Sequence, residues 1–212
     1  MERDKKKYTI EDIARELGVS KTTVSRALSG KGRIGRETVE RVRAFVEEHD
    51  YRPNAFARGL AQQKTYNLGL VLPQEDTDAS FFKECMNGIC EKASEYNYDV
   101  VLAIMEEDQL AQLHRLVMNH KVDGIILTRA TMGSGAVKFL KDQRIPFVVI
   151  GPSEDLEVMS IDNPNQEASR ELTALLLLKG LRRLALVGGN SRHYVSESRK
   201  KGFLDAHRDR GF

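Results

Sequence analysis

Cysteine is scarce in this chain of 212 residues, and the two that occur exclude more than they suggest. Cys85 and Cys90 stand five positions apart in a stretch of helical spacing, which turns them about 140° from one another, so neither a disulfide nor a shared metal site is expected. The histidines are scattered, and His114 and His120 fall on roughly opposite faces of one helix, so no metal-ligand constellation forms. No apolar run approaches the roughly 20 residues that span a bilayer. The charged start MERDKKK is unlike a signal peptide, and a cytoplasmic protein without a membrane partner is expected. No Ser-His-Asp order and no carboxylate pair at a strand end supports catalysis, so an enzyme is not expected. Gly133, Ser134 and Gly135 precede a helix, but the third glycine of a nucleotide loop is missing and the first strand ends in PQEDTD, so no cofactor is expected.

What is present is a length suited to one small and one larger domain, and a lopsided charge. Residues 1–66 carry 15 Lys and Arg against 10 Asp and Glu, a net of +5, while residues 67–212 carry 18 against 21, a net of −3. A basic N-terminal block joined to a mildly acidic remainder suits a polyanion-binding module attached to something else.

Within that block, residues 8–28 (YTIEDIARELGVSKTTVSRAL) carry the spacing of two short helices and a tight turn. Ile10, Ile13, Ala14 and Leu17 make one apolar stripe, Thr9 is a cap, and Glu11 and Asp12 suit the positive end of the helix dipole. Gly18 ends the first helix and Ser20 caps the second, which runs from Lys21 to about Leu28 with Val24, Ala27 and Leu28 inward. Lys21, Thr22, Thr23, Ser25 and Arg26 remain outside, side chains able to meet base edges and phosphates. An ordinary helical hairpin with a wet face has the same spacing.

Residues 29–35 (SGKGRIG) form a basic, glycine-rich loop, and a third helix follows from Arg36 with Val39, Val42, Phe45 and Val46 in register. The approach to Pro53 ends it. Residues 54–62 (NAFARGLAQ) carry Asn54 as a cap, but Gly59 costs about 1 kcal/mol relative to alanine, so this short helix needs a partner. From residue 67 the pattern changes to short apolar runs alternating with helices: strands at 68–72, 99–104, 122–127 and 146–150, a crossing segment at 160–165, a long helix at 166–179, a strand at 184–187 and a last helix around 196–209. Such alternation marks parallel sheet covered on both faces.

Taken in order, GVSKTTVSRAL, ETVERVRAFVEEHDYRPNAFARGLA and LGLVLP, and more loosely VDGIILT, SIDN, RRLALVGG and SRKKGF, resemble the LacI/GalR family of transcription regulators along essentially the whole chain. The resemblance implies an α-helical helix-turn-helix headpiece (residues 1–53), a hinge helix and linker (54–66), and an α/β core like that of periplasmic binding proteins, with parallel sheets. Its first lobe would be residues 67–160 and its second, incomplete lobe 161–212. It implies a homodimer on a near-palindromic double-stranded DNA operator, repression as the output, and a sugar-like small-molecule effector.

By the same resemblance Lys21 and Thr22 are the principal base readers, Arg26 adds a base or phosphate contact, and Leu60 is the apolar wedge at the operator centre. An apolar side chain on a marginal helix can unstack a flexible base step at a cost of a few kcal/mol and bend the duplex; packing against a neighbouring domain is the other role open to Leu60. Thr9, Ser20, Thr23, Ser25 and Asn54 are phosphate contacts or caps. Gly35 stands where the family has a capping serine and Val39 where an arginine is common, so the third helix is expected to lose a cap. Leu181 replaces a frequent histidine.

Ligands of open parallel sheets sit beyond the carboxyl ends of strands, here residues 73–80, 128–135, Ser153, Asp162, Asn163 and 188–191. Arg199 matches a cleft arginine of the family, and its planar guanidinium suits hydroxyl or carboxylate groups; the alternative is a solvated helix residue. Asp162 and Asn163 either touch the effector or belong to the lobe crossover. Family cores continue well beyond this length, so a fragment or a truncated product is expected, with residues 175–178 and 184–187 short of cover. The competing reading is a small-molecule-binding α/β protein without DNA-regulatory activity, or a form impaired in effector response.

Overall fold

A computed structural model describes residues 8–30, 32–52, 59–60, 62–74, 80–106, 109–129, 135–153 and 155–211. The chain divides into two compact units, Met1–Gln62 and Gln63–Phe212. Asn54 and residues 75–79 and 130–134, which include Gly133 and Ser134, lie outside the described residues.

The first unit holds helices α1 (Ile10–Glu16), α2 (Lys21–Ser29) and α3 (Arg36–Glu48). Local chemistry fixes the starts of α1 and α2. The Thr9 hydroxyl accepts from the Asp12 N–H (3.3 Å) while the Asp12 carboxylate accepts from the Thr9 N–H (3.0 Å), a capping box closed in both directions. Ser20 caps α2 by accepting from the Thr23 N–H at 3.1 Å, and Gly30, left-handed at φ 67°, ends it. Gly35 gives α3 no side-chain cap, as its replacement of serine leads one to expect. Ile13, Val24 and Val42 are completely buried, one from each helix, with Ala14 and Ala27 filling between them. Val39 packs on this core, and Arg41 donates to the Leu17 carbonyl (2.9 Å), so α3 satisfies an open carbonyl at the end of α1.

The second unit is built on a five-stranded, wholly parallel sheet in the order β2-β1-β3-β4-β5. Its strands are β1 (Asn67–Pro73), β2 (Asp99–Met105), β3 (Gly124–Leu127), β4 (Phe147–Ile150) and β5 (Ser160–Ile161). The crossovers are α4 (Ser80–Glu95), α5 (Ala111–Met118) and α6 (Gly135–Asp142). Interior strand β1 shows why its sequence is continuously apolar instead of alternating: Leu70 and Leu72 pack with Phe82 of α4 on one face, and Val71 joins Leu113, Leu116 and Leu140 of α5 and α6 on the other. Beyond β5 come α7 (Asn165–Leu178) and α8 (Tyr194–Arg208), packed on one another. Among the described residues no helix is long and apolar enough to cross a membrane.

Two features differ from expectation. Residues 160–161, read as part of a crossing segment, add a fifth strand to the sheet, with Val149 beside Ser160 and Ile150 beside Ile161. Residues 184–187 form no strand, and Val187 is 96% exposed. A strand exists through the ladder it joins, and among the described residues no strand lies beside this one, so high β propensity goes unused. One side of α7 is likewise open, with Leu172, Leu175 and Leu178 at least half exposed, while Leu177 of the same run is buried.

At the start of the second unit the chain is clamped. The Asp123 carboxylate, just before β3, accepts from the Thr65 N–H (2.7 Å), the Thr65 hydroxyl (2.8 Å) and the Tyr66 N–H (3.0 Å). Tyr66 sits in the left-handed region at φ 58°, unusual for a bulky residue and held by these bonds together with its carbonyl accepting from the Asp99 N–H at 2.8 Å. Burial acts to raise the Asp123 pKa, but the bonds from Thr65 and Tyr66 outweigh it and the carboxyl lies below its ordinary value. A depressed folded-state pKa gives stability that is complete above the unfolded value, near 4, and is lost as pH falls through the folded one. Asp123→Ala should therefore cost about 2 kcal/mol at neutral pH, and the cost should shrink below about pH 4. Chemical denaturation of both proteins across that range is the check.

Candidate functional site

The exposed face of α2 is the first candidate. Val24 and Ala27 anchor the helix inward, which turns Lys21, Thr22, Ser25 and Arg26 to solvent as their spacing requires. Thr23 is only partly exposed, its N–H and hydroxyl both within reach of the Ser20 hydroxyl, which lies 2.9 Å from the Thr23 hydroxyl. Thr9 donates its hydroxyl to Asp12 at 2.6 Å. Of the hydroxyl residues expected as phosphate contacts, Thr9 and Ser20 thus serve as caps in this structure and the Thr23 hydroxyl is engaged with the Ser20 cap, whereas Ser25 is exposed. The Arg26 stem runs beside Gly32, where an added Cβ would lie 3.2 Å from Arg26 Cδ, so the basic loop and the helix form one surface. Leu60 is 84% exposed, an apolar side chain open to solvent on a helical residue. Lys21 pairs with Glu11 of α1, a contact that sequence spacing did not reveal because it bridges two helices.

The second candidate lies in the second unit, where a cleft of about 630 Å³ opens beyond the carboxyl ends of β3, β4 and β5. It brings Arg199, Asp162 and Asn163 together, the three residues singled out from the sequence. They are joined through one that was not: Arg199 Nε donates to Asn165 Oδ1 (3.0 Å), and Asn165 Nδ2 donates to Asp162 Oδ1 (2.9 Å) and to the Asn163 carbonyl (3.1 Å). Ser169 holds the Arg199 carbonyl from α7 at 2.7 Å. Opposite this polar line stand Phe81 and Phe82 on α4, with the Arg129 guanidinium 5.5 Å from the Phe82 ring centre. Sequence spacing does not single out these rings, which fall in the helical stretch between the first two strands. Thr128, buried at the end of β3, donates its hydroxyl to the Val71 carbonyl (2.8 Å) and shapes the cleft floor. Apolar rings on one side and planar hydrogen-bonding groups on the other suit a small molecule with a flat apolar face and several hydroxyl groups. Ser153 lies outside this cleft, its hydroxyl bonded to the Asp155 N–H at 3.2 Å.

Both units match known families. Residues 9–54 match the family described as bacterial regulatory proteins, lacI family, and residues 65–212 match periplasmic binding proteins and sugar binding domain of LacI family. The chain is 35% identical over 204 residues to the HTH-type transcriptional regulator MalR of Streptococcus pneumoniae, covering 93% of this chain and 62% of that protein. It is 31% identical to catabolite control protein A of Staphylococcus aureus, covering 93% of this chain and 60% of that one. The chain thus spans about three fifths of the length of these curated relatives. In fold it is similar to the Lac repressor dimer bound to operator and the anti-inducer ONPF, with a TM-score of 0.79 at 21% identity over 97% of this chain and 63% of that one. With the helix pair, the parallel sheet and the cleft each matched along the chain, it belongs to the LacI family of bacterial regulatory proteins.

Proposed function

We propose that the chain acts in transcription regulation, binding a near-palindromic DNA operator as a homodimer and answering to a small, sugar-like effector held in the cleft. The observation that carries the DNA reading is the outward face of α2, where Lys21, Thr22 and Arg26 share one exposed side of a helix anchored by completely buried Val24. Lys21 and Thr22 choose the base sequence; Arg26 and Ser25 add base or phosphate contacts, and the hydroxyls of Thr9, Ser20 and Thr23 are shared between cap and phosphate. Leu60 is the minor-groove wedge, supported by its exposure, and Asn54 is a further phosphate contact.

The dimer reading is supported by the free edge of the sheet, where β2 exposes Leu102 and Ile104. The effector reading rests on the cleft, where Arg199, Asp162 and Asn163 face hydroxyl groups and the Phe81 and Phe82 rings face a sugar's apolar side. Two relatives' names bear on it: MalR among the curated proteins, and the solved complex of the regulator CelR with cellobiose.

In vitro selection from a randomised duplex library tests the central statement. The protein should enrich one palindrome, with affinity that falls steeply with salt, and Lys21→Ala should weaken binding to that palindrome about ten- to a hundredfold while changing random-sequence binding far less. Sequence-independent, salt-insensitive binding would overturn it. Titration with maltose and cellobiose, read as a thermal shift and as a change in operator affinity, tests the effector.

A further inference from the structure

We infer that Glu11 is a specificity-determining residue, which holds the Lys21 ammonium so that it favours a base edge over the phosphate backbone. The inference rests on the operator-reading role of the first unit. Its basis is the ion pair between Glu11, in the first turn of α1, and Lys21, the first residue of α2. Their side chains are 57% and 60% exposed, so the pair lies on the open surface.

Glu11 takes no part in the capping box of α1. The capping box of α1 is closed by Asp12, whose carboxylate also pairs with Arg15 at 3.4 Å. An exposed ion pair adds little to stability, so the consequence of this one is electrostatic. A carboxylate on a surface that meets DNA is repelled by every phosphate alike, and it cancels much of the attraction that Lys21 would offer them. Random sequence, held by phosphate contacts alone, suffers the full effect.

A base edge is a different partner. An ammonium has three donors, so Lys21 can keep one on Glu11 and direct another at guanine O6 or N7. The pair also restrains a flexible four-carbon stem before the groove is entered, lowering the ordering cost of the specific contact. Glu11 therefore penalises random duplex more than the operator, and the ratio of the two affinities rises.

The experiment compares the full chain with E11Q, which keeps size and removes charge, on the palindrome selected by the unaltered protein and on random duplex. E11Q should bind random duplex about threefold to fivefold more tightly, with a log-log salt slope steeper by roughly one, and its operator-to-random ratio should fall by a similar factor. In a K21Q background, E11Q should leave the ratio unchanged. An unchanged ratio and slope would overturn the inference. So would an equal fall of the ratio in the K21Q background, which would show that Glu11 does not act through Lys21. A different preferred base at one position with an unaltered slope would make Glu11 a reader itself and reject the restraining role. If the unaltered protein enriches no palindrome, the operator reading fails first and the inference with it.

Discussion

On the proposed operator reading, replacing Ile13 with alanine should abolish DNA binding while leaving the second unit folded. Ile13 is completely buried between Val24 and Val42, and the core of the first unit holds only five buried apolar residues among those described, two of them alanines. Truncating a buried isoleucine to alanine costs about 2–5 kcal/mol, because the transfer energy of the lost methyl groups is joined by that of the cavity left behind. A core in a domain of this size supplies roughly 3–5 kcal/mol in all. The loss matches or exceeds what so small a core can spare, so the three helices should be largely unfolded at room temperature. Loss of DNA retention and of part of the helical circular dichroism, with a retained thermal transition from the parallel sheet, is the expected record. Ile13 reaches no DNA, so the effect comes through the support of α2.

Gly202→Ala should be nearly as damaging, for the opposite reason. Gly202 is buried within α8, where alanine would ordinarily favour the helix by about 1 kcal/mol. Here an added Cβ would lie 2.0 Å from the Gln166 carbonyl oxygen and 3.0 Å from the Arg170 amide nitrogen, both backbone atoms of α7. Backbone cannot rotate aside as a side-chain tip can, so the helices must separate, and overpacking of this kind costs about 1–3 kcal/mol or more. The clash outweighs the propensity. Separation would also disturb the Gln166–Asp205 bond (2.8 Å), the Arg170–Asp209 pair (2.6 Å) and the Ser169 bond that positions Arg199. The expected result is a lower melting temperature and, on the proposed effector reading, a weakened saccharide-induced thermal shift; a variant as stable as the parent would show that the two helices can slide apart freely.

Much of the fold was readable because its signals are local. The capping box at Thr9 and Asp12, the Ser20 cap and the stripe Ile10, Ile13, Ala14 and Leu17 lie within a turn or two of one another, and they set α1 and α2 close to where the sequence puts them. Strand β1 was readable because both its faces are covered and the whole run is apolar. Pairing is a different matter. Residues 160–161 form a strand by pairing with β4, and residues 184–187 form none since no strand lies beside them among the described residues, yet the second run is the more apolar. The same division runs through the sites. Exposure of Lys21 and Arg26 follows from helix periodicity, and Asp162 and Asn163 follow from the strand-end rule, whereas Arg199 is reached only through the family resemblance. Asn165, which ties those three together, Asp123, which meets Thr65 from 58 positions away, and Glu11, which meets Lys21 across two helices, are products of chain crossing and carry no local mark.

The order of the sheet also bears on how the molecule forms in time. Each adjacent pair among β1, β2, β3 and β4 requires a crossover before its ladder can close, and β1 must wait for β2 and β3 on its two sides. Such non-local closure is slow, whereas three helices held by neighbours in sequence fold in microseconds to milliseconds. The helical unit also leaves the ribosome first. On the proposed function, a nascent chain thus presents its DNA-reading face before the effector cleft has closed, and recognition precedes control in the life of each molecule.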